Sequence, residues 1–391
     1  MNDHPQSVKL LLNLAHAFDH FLLLIFAAAV TSIALDFGMA SWQDLMPYGA
    51  GAFLLFGLGS VPAGRLGDLW GRRSMMLVFF FGMGIACLLT ACAQNAWQIA
   101  VCVTVMGTFA SIYHPVGIPM LVERSANPGA TIGLNGLAGN MGVAIAALFT
   151  GFLIQWQGWR TAFIVPGLLC IILGVVFAMV CPREREAPAK RKSTAKVQLS
   201  RAMMARVLIV MTAAAVTSSV LFNFTTNGNG QLLTERFVGI VDNPSSLGIL
   251  LAVVYAIASC AQVIVGNVIH KFPIKRFFQL MVLGQIPMLI LASQASGWAL
   301  FVALVGVMIF VFGAIPFTDV LIVRYVDDRM RSRVSGIRLG VSFGISSLAV
   351  WSIGPMVKAI GFGQSLWLLA CFSLTTTLIL SLLPNEQQET T

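Results

Sequence analysis

The sequence predicts an all-α membrane protein with twelve transmembrane helices in two pseudo-symmetric six-helix bundles. Composition is the first observation behind this. Of 391 residues, 58% are apolar and 10% charged, with a mean hydropathy of +0.86. Soluble domains run nearer one-quarter charged, so a chain with so few charges must cover its outside with lipid. This excludes a soluble enzyme, a nucleic-acid-binding protein and a disordered chain. The second observation is that apolar stretches of about 20 residues, the length that crosses a ~30 Å hydrocarbon core as helix, follow one another almost end to end. The third is that the basic residues fall on alternate loops.

In chain order the expected spans are 9–35, 46–63, 75–93, 97–121, 131–153 and 161–181, then 204–225, 246–269, 276–294, 298–322, 335–356 and 364–383. The opening MNDHPQSVKL does not read as a cleavable signal, because the first apolar run is long and carries His16, Asp19 and His20. That run is expected to be retained as the first span. Between the sixth and seventh spans, PREREAPAKRKSTAKVQLSR is the only long stretch without an apolar core, and it reads as a linker. The organisation is therefore a bundle over 1–181, a cytoplasmic linker over 182–202 and a second bundle over 203–391.

The net charge of +9 and pI near 9.5 could suggest nucleic acid, but the charges are not gathered on one face. With the N-terminus inside, 21 of the 24 Lys and Arg fall on inner segments, leaving only Arg160, Arg236 and Lys358 outside. Cytoplasmic loops carry such an excess. The expectation is a bacterial inner-membrane protein with both termini cytoplasmic, acting as a monomer and binding no nucleic acid. The seven cysteines are odd in number and lie in apolar stretches, so they read as small core residues. The halves also correspond at an offset near 203, with Gly133-Leu134-Asn135 answering Gly336-Ile337-Arg338 and Gly158-Trp159 answering Gly361-Phe362. That pattern suits two parallel repeats with a substrate site between them.

The loop after the second span reads Gly64-Arg65-Leu66-Gly67-Asp68-Leu69-Trp70-Gly71-Arg72-Arg73. Its glycines permit a tight reversal, and Asp68 is a carboxylate among three arginines at a helix end. The loop resembles the major facilitator superfamily signature G-x-L-x-D-x-x-G-R-[KR], keeping Gly64, Leu66, Asp68, Gly71, Arg72 and Arg73. The resemblance implies a cytoplasmic latch between the halves, with Asp68 as its central residue. The competing reading is a basic turn that only fixes topology. The second-half counterpart, Gly266 to Lys271, is degraded.

The first span holds the densest polar cluster: Asn13, His16, Asp19 and His20. Residues 13, 16 and 20 share one helical face, with Asp19 one turn from His16. Ionisable groups at membrane depth normally mark an ion or substrate path. A carboxylate beside imidazoles can exchange protons near neutral pH, which makes His16, Asp19 and His20 proton-coupling candidates. Three other readings stand beside this one: a wet helix end, a static hydrogen-bonded knot, or ligation of a divalent metal. Few further ligands match in the sequence, so no metal and no cofactor is assigned. In span four, Pro115 beside Tyr113 and His114 breaks the helix locally and suits a cavity-lining site. A packing histidine at a kink is the alternative.

The run Gly107 to Pro115, the glycine-rich Gly133 to Gly142 and Gly158-Trp159-Arg160-Thr161-Ala162-Phe163 resemble the fosmidomycin-resistance branch of drug exporters. This implies proton-driven efflux of a small organic compound, amphipathic or anionic. Val103 stands where many drug–proton antiporters have arginine, and no proline occurs between 129 and 165. Proton-coupled uptake of a nutrient, siderophore or metal chelate therefore stays as the alternative, and a transport-inactive receptor is a third. In the second half, Asp319 is the acid within span ten, expected to pair with Arg338, to help latch the cytoplasmic side or to sit at the interface. Asn223, Gln262 and Gln285 are further cavity-lining candidates. No enzyme site is evident.

Overall fold

A computed structural model describes residues 5–123, 125, 128–183, 201–325 and 328–383. Most of the expected linker, 184–200, lies outside them, as does the side chain of Asp319. Every regular element among the described residues is helical. Helix α1 is Gln6–Asp36, α2 is Trp42–Leu45 and α3 is Ala50–Trp70, joined to α2 by a 3-10 turn. Then come α4 Arg72–Ala91, α5 Ala96–Ala110, α6 Ile118–Val122, α7 Pro128–Gln157 and α8 Trp159–Val180. The rest is α9 Arg201–Arg236, α10 Pro244–Val268, α11 Ile274–Gln294, α12 Gly297–Tyr325 and α13 Asp328–Ser381.

Among the described residues, eleven helical segments are long and apolar enough to cross a bilayer. The expected spans 335–356 and 364–383 fall within one such segment of 46 residues, Gly336–Ser381. That segment is not straight, because Gly361 leaves helical geometry with φ 75° and ψ 166°. Gly158, 203 positions earlier, has nearly the same backbone, φ 90° and ψ 173°, and separates α7 from α8. Glycine is favoured at both because other residues resist positive φ.

The largest departure from expectation is α9, which continues to Arg236 rather than ending at residue 225. The run Thr225-Thr226-Asn227-Gly228-Asn229-Gly230-Gln231 has loop-like composition, yet its polar groups are satisfied inside the helix. Thr225 and Thr226 donate to the carbonyls of Leu221 and Phe222, and Asn227 donates to Asn223 O. Such back-bonding lets polar residues ride a buried helix. Gln231 instead crosses to α1, donating to Ala27 O and accepting from Thr31 Oγ1 at 2.8 Å.

Within the earlier helices α1 packs on α7, α3 on α5, and α4 on α8; later in the chain α9 and α11 pack on α13, and α10 on α12. The earlier and later helices meet along α7 with α10 and along α3 with α13. Both seams are made by glycines. A Cβ on Gly248 or Gly151 would run into the backbone of the facing helix, and one on Gly57 would meet Gly344 N at 2.7 Å. Small residues let helices approach closely where lipid supplies no hydrophobic drive.

Taking the start of α1 as the near end, the far end, where α1 stops, is closed. Lys358 bonds Asp44 at 2.6 Å, Gln231 bonds α1, and Trp42 stacks on Phe362. Gly354 approaches so near that a Cβ would strike the backbone of Gln43. At mid-depth, Asn140 of α7 donates to Gln262 of α10.

The cysteines divide between two environments. Cys87 and Cys170 are buried and point their thiols at Phe163 O and Phe80 O, as small core residues. Cys92, Cys260 and Cys371 are exposed on the outside of the bundle, which corrects the expectation that all seven are core. An apolar stretch places a residue in the membrane without saying whether it faces protein or lipid.

Candidate functional site

The site forms where α1 meets the broken fourth span. Pro115 and Pro119 cannot donate backbone hydrogen bonds, and between α5 and α6 the chain runs as a π-helical turn, Tyr113–Gly117. Such turns interrupt α-helices often at functional sites. Here the turn presents Tyr113 and His114 to the face of α1 that carries Asn13, His16, Asp19 and His20.

A buried hydrogen-bond web holds one side of this cluster. Tyr113 Oη donates to Leu12 O at 2.9 Å. Asn135 Nδ2 donates to Tyr113 Oη at 2.7 Å and to Asn13 Oδ1 at 2.9 Å. His16 Nδ1 lies 2.7 Å from Asn135 O, so this nitrogen carries the proton that the carbonyl accepts. The His16 ring also stacks on Tyr113 with centroids 4.7 Å apart. Its outer edge rests against Gly139, where a Cβ would come within 2.6 Å of the imidazole.

The other side is less tied. The rings of His16, His20 and His114 lie 5.0–5.8 Å apart by centroid, with one nitrogen of each within 4.8 Å of the others. Asp19 is fully buried, and its Oδ2 is 3.7 Å from His114 Nε2. Neither carboxylate oxygen has a hydrogen-bond partner among the described residues, nor does His114 Nε2. An ionised carboxylate so placed is costly unless a cation or proton accompanies it.

His20 opens onto a cavity between the earlier and later helices, lined also by Phe53, Phe56, Phe222, Asn223 and Phe343. Its volume is about 10 Å³, the room of roughly one water molecule. Asn223 donates to Ser219 O at 2.9 Å, while its buried Oδ1 has no described partner.

Six of the expected site residues, Asn13, His16, Asp19, His20, Tyr113 and His114, thus come together, and Asn223 faces them across the cavity. Gln285 does not: it bonds Phe310 O and Ser373 within the later helices. Gln262 joins the seam to Asn140 and reaches toward Gly136. Asn135, which sequence reasoning used only as a repeat and family marker, is part of the site through Asn13, Tyr113 and His16.

In the loop at 64–73, the described bonds of the two arginines stay within the first half. Gly71 makes the turn with φ 92°. Arg72 pairs with Glu123 at 2.8 Å and also reaches Pro119 O, while Arg73 donates to Cys181 O and Ala178 O at the end of α8. Both arginines therefore tie α4 to helix ends within the first half. Asp68 is half-buried with no hydrogen bond or ion pair among the described residues. Gly158-Trp159-Arg160 is likewise structural: Arg160 lies over the Trp159 ring, and both hold Asp36 at the end of α1.

Comparison with known proteins agrees with this architecture. The fold overlays a bacterial homologue of the human lysosomal transporter Spinster, in an inward-facing and occupied conformation, with a TM-score of 0.74. That match covers 98% of this chain and 95% of the other at 16% identity. It also overlays a variant of the nucleoside transporter NupG with a TM-score of 0.73 at 11% identity, covering 96% and 100%. Among curated relatives, a gallate transporter of Pseudomonas putida is 25% identical over 46% of this chain and 42% of its own length. Multidrug resistance protein MdtG of Escherichia fergusonii is 26% identical over 37% of this chain and 36% of its own. A puromycin resistance protein of Streptomyces alboniger is 28% identical over 40% and 31%. This chain thus spans less than half the length of each of these relatives. Residues 10–338 match the family model of the Major Facilitator Superfamily, and the chain accordingly belongs to that family as an integral membrane transporter, not an enzyme.

Proposed function

We propose that the protein exports a small organic compound, amphipathic or anionic, in exchange for protons by alternating access. The observation that carries this is Asp19, a fully buried carboxylate at ion-pair distance from His114 and next in sequence to His20, which lines a cavity between the two sets of helices. A proton arriving at Asp19 removes a charge that the closed arrangement holds without hydrogen bonds. Protonation then shifts the balance between orientations, provided the two bind the proton unequally. Four phenylalanines around the cavity suit an aromatic or amphipathic substrate. The cavity would have to widen to hold one, since organic ligands need roughly 300 Å³ or more.

In this reading the break at Gly361 divides the last segment into two spans, for twelve in all. The halves 1–181 and 203–391 rock about the seams of α7 with α10 and α3 with α13, joined by the linker 182–202. Both termini lie in the cytoplasm of a bacterial inner membrane, the far end faces outward, and the monomer is the working unit. Asp68 engages the second half in the opposite orientation.

The drug-resistance relatives favour export, and uptake stays as the second reading because Val103 stands where many drug–proton antiporters have arginine. Thermal-shift screening with gallate, puromycin and related aromatic compounds should identify a ligand that raises the apparent melting temperature. In vesicles with an imposed pH gradient, that compound should move against the proton flow. Movement with the protons would establish uptake instead, and indifference to the gradient would remove proton coupling.

A further inference from the structure

Three imidazoles and a carboxylate meet in one buried place with few hydrogen bonds to satisfy them. We infer that His16, His20 and His114, with Asp19, form a binding site for a divalent late first-row transition ion such as Zn²⁺. The site shares residues with the proton-coupling reading, but it rests on ligand geometry and not on the direction or driving force of transport.

The donors fit this chemistry. Imidazole nitrogen with carboxylate oxygen suits zinc and its neighbours, whereas calcium and magnesium demand oxygen. His16 Nδ1 is engaged with Asn135 O at 2.7 Å, which fixes the tautomer and leaves the lone pair on Nε2. A metal-binding histidine typically donates its other nitrogen to a carbonyl in this way. Tyr113 stacked on the ring and Gly139 at its edge hold the orientation.

The remaining ligands are free to adjust. His20 and His114 make no hydrogen bond among the described residues, and both oxygens of Asp19 lack one. A tetrahedral ion with bonds near 2.0–2.1 Å places its donors about 3.3 Å apart. The three nitrogens lie within 4.8 Å, so the cluster must contract by about 1.5 Å across its widest pair, as side-chain rotations of His20 and His114 allow. A cavity the size of one water beside His20 leaves room for one small ligand beyond these four. The two Asp19 oxygens and His114 Nε2, which are buried without a hydrogen bond among the described residues, would be satisfied together by one cation.

The test is titration of the full-length, tag-free protein in detergent with Co²⁺, whose visible absorption is strong in four-coordinate and faint in six-coordinate surroundings. One equivalent per chain should give the strong spectrum, and Zn²⁺ should displace it. His20→Gln and His114→Gln should each weaken binding at least about tenfold while melting as the wild type does; Asp19→Asn should weaken it too. A spectrum like free Co²⁺, or thiolate absorption untouched by the histidine variants, would overturn the site. Vesicle flux measured with and without a chelator separates the two ideas. Proton-driven flux without Co²⁺ binding would remove the metal site alone, whereas Co²⁺ binding with flux indifferent to pH would remove proton coupling alone.

Discussion

Gly139 shows how much the site depends on an absent side chain. His16 occupies the space a Cβ would take, at 2.6 Å. Gly139→Ala should therefore push the imidazole off Tyr113 and away from Asn135 O, costing about 1–3 kcal/mol of stability as overpacking does. Transport should fall far more than thermal stability falls, as a paired melting and flux measurement would show. Wild-type flux in this variant would mean that the His16 position is unimportant. At this scale the charged half of the site was legible, because His16, Asp19, His20 and His114 are ionisable groups that an oily chain ordinarily excludes. The neutral half was legible only in part, at Asn13, Tyr113 and Asn223. Asn135 and Thr226 have loop-like composition, and only their placement shows them to be buried and bonded.

At the scale of elements, two devices hold helices in place without touching the site. Arg73 donates two hydrogen bonds to carbonyls at the C-terminal end of α8, where a cation also complements the helix dipole. Arg73→Ala should destabilise the protein by about 1–3 kcal/mol, read as a lower melting temperature in detergent. No change would reduce this half of the loop motif to a topology signal. At the far end, Gly354 lies against the Gln43 backbone, which cannot yield as a side chain would. Gly354→Leu should wedge α13 from α2 and favour the orientation open at that end. Spin labels on α1 and α9 near Thr31 and Gln231 should then report a longer distance; an unchanged distance would contradict the closure described here. The sequence placed most helix boundaries within a few residues because apolar length sets them. It missed the last third of α9, where polar side chains bond their own helix, whereas the break expected between residues 356 and 364 does fall there, at Gly361.

For the whole molecule, the oily composition and the charge asymmetry established a membrane-spanning helical protein, and the correspondence at 203 residues reappears in the matching backbones of Gly158 and Gly361. What no single sequence supplies is which faces of the helices meet. The π turn aims Tyr113 and His114 at α1, and the glycine seams bring α10 and α13 against α7 and α3. Those meetings create a site from residues more than 90 positions apart. The central claim is that Asp19 couples proton movement to the change of orientation. It is tested most directly by comparing Asp19→Asn with wild type in vesicles, using a compound found by thermal-shift screening. The account predicts that the variant still exchanges the compound across the membrane at equal concentrations but no longer accumulates it against a gradient when a pH difference is imposed. Wild-type accumulation by Asp19→Asn would contradict it.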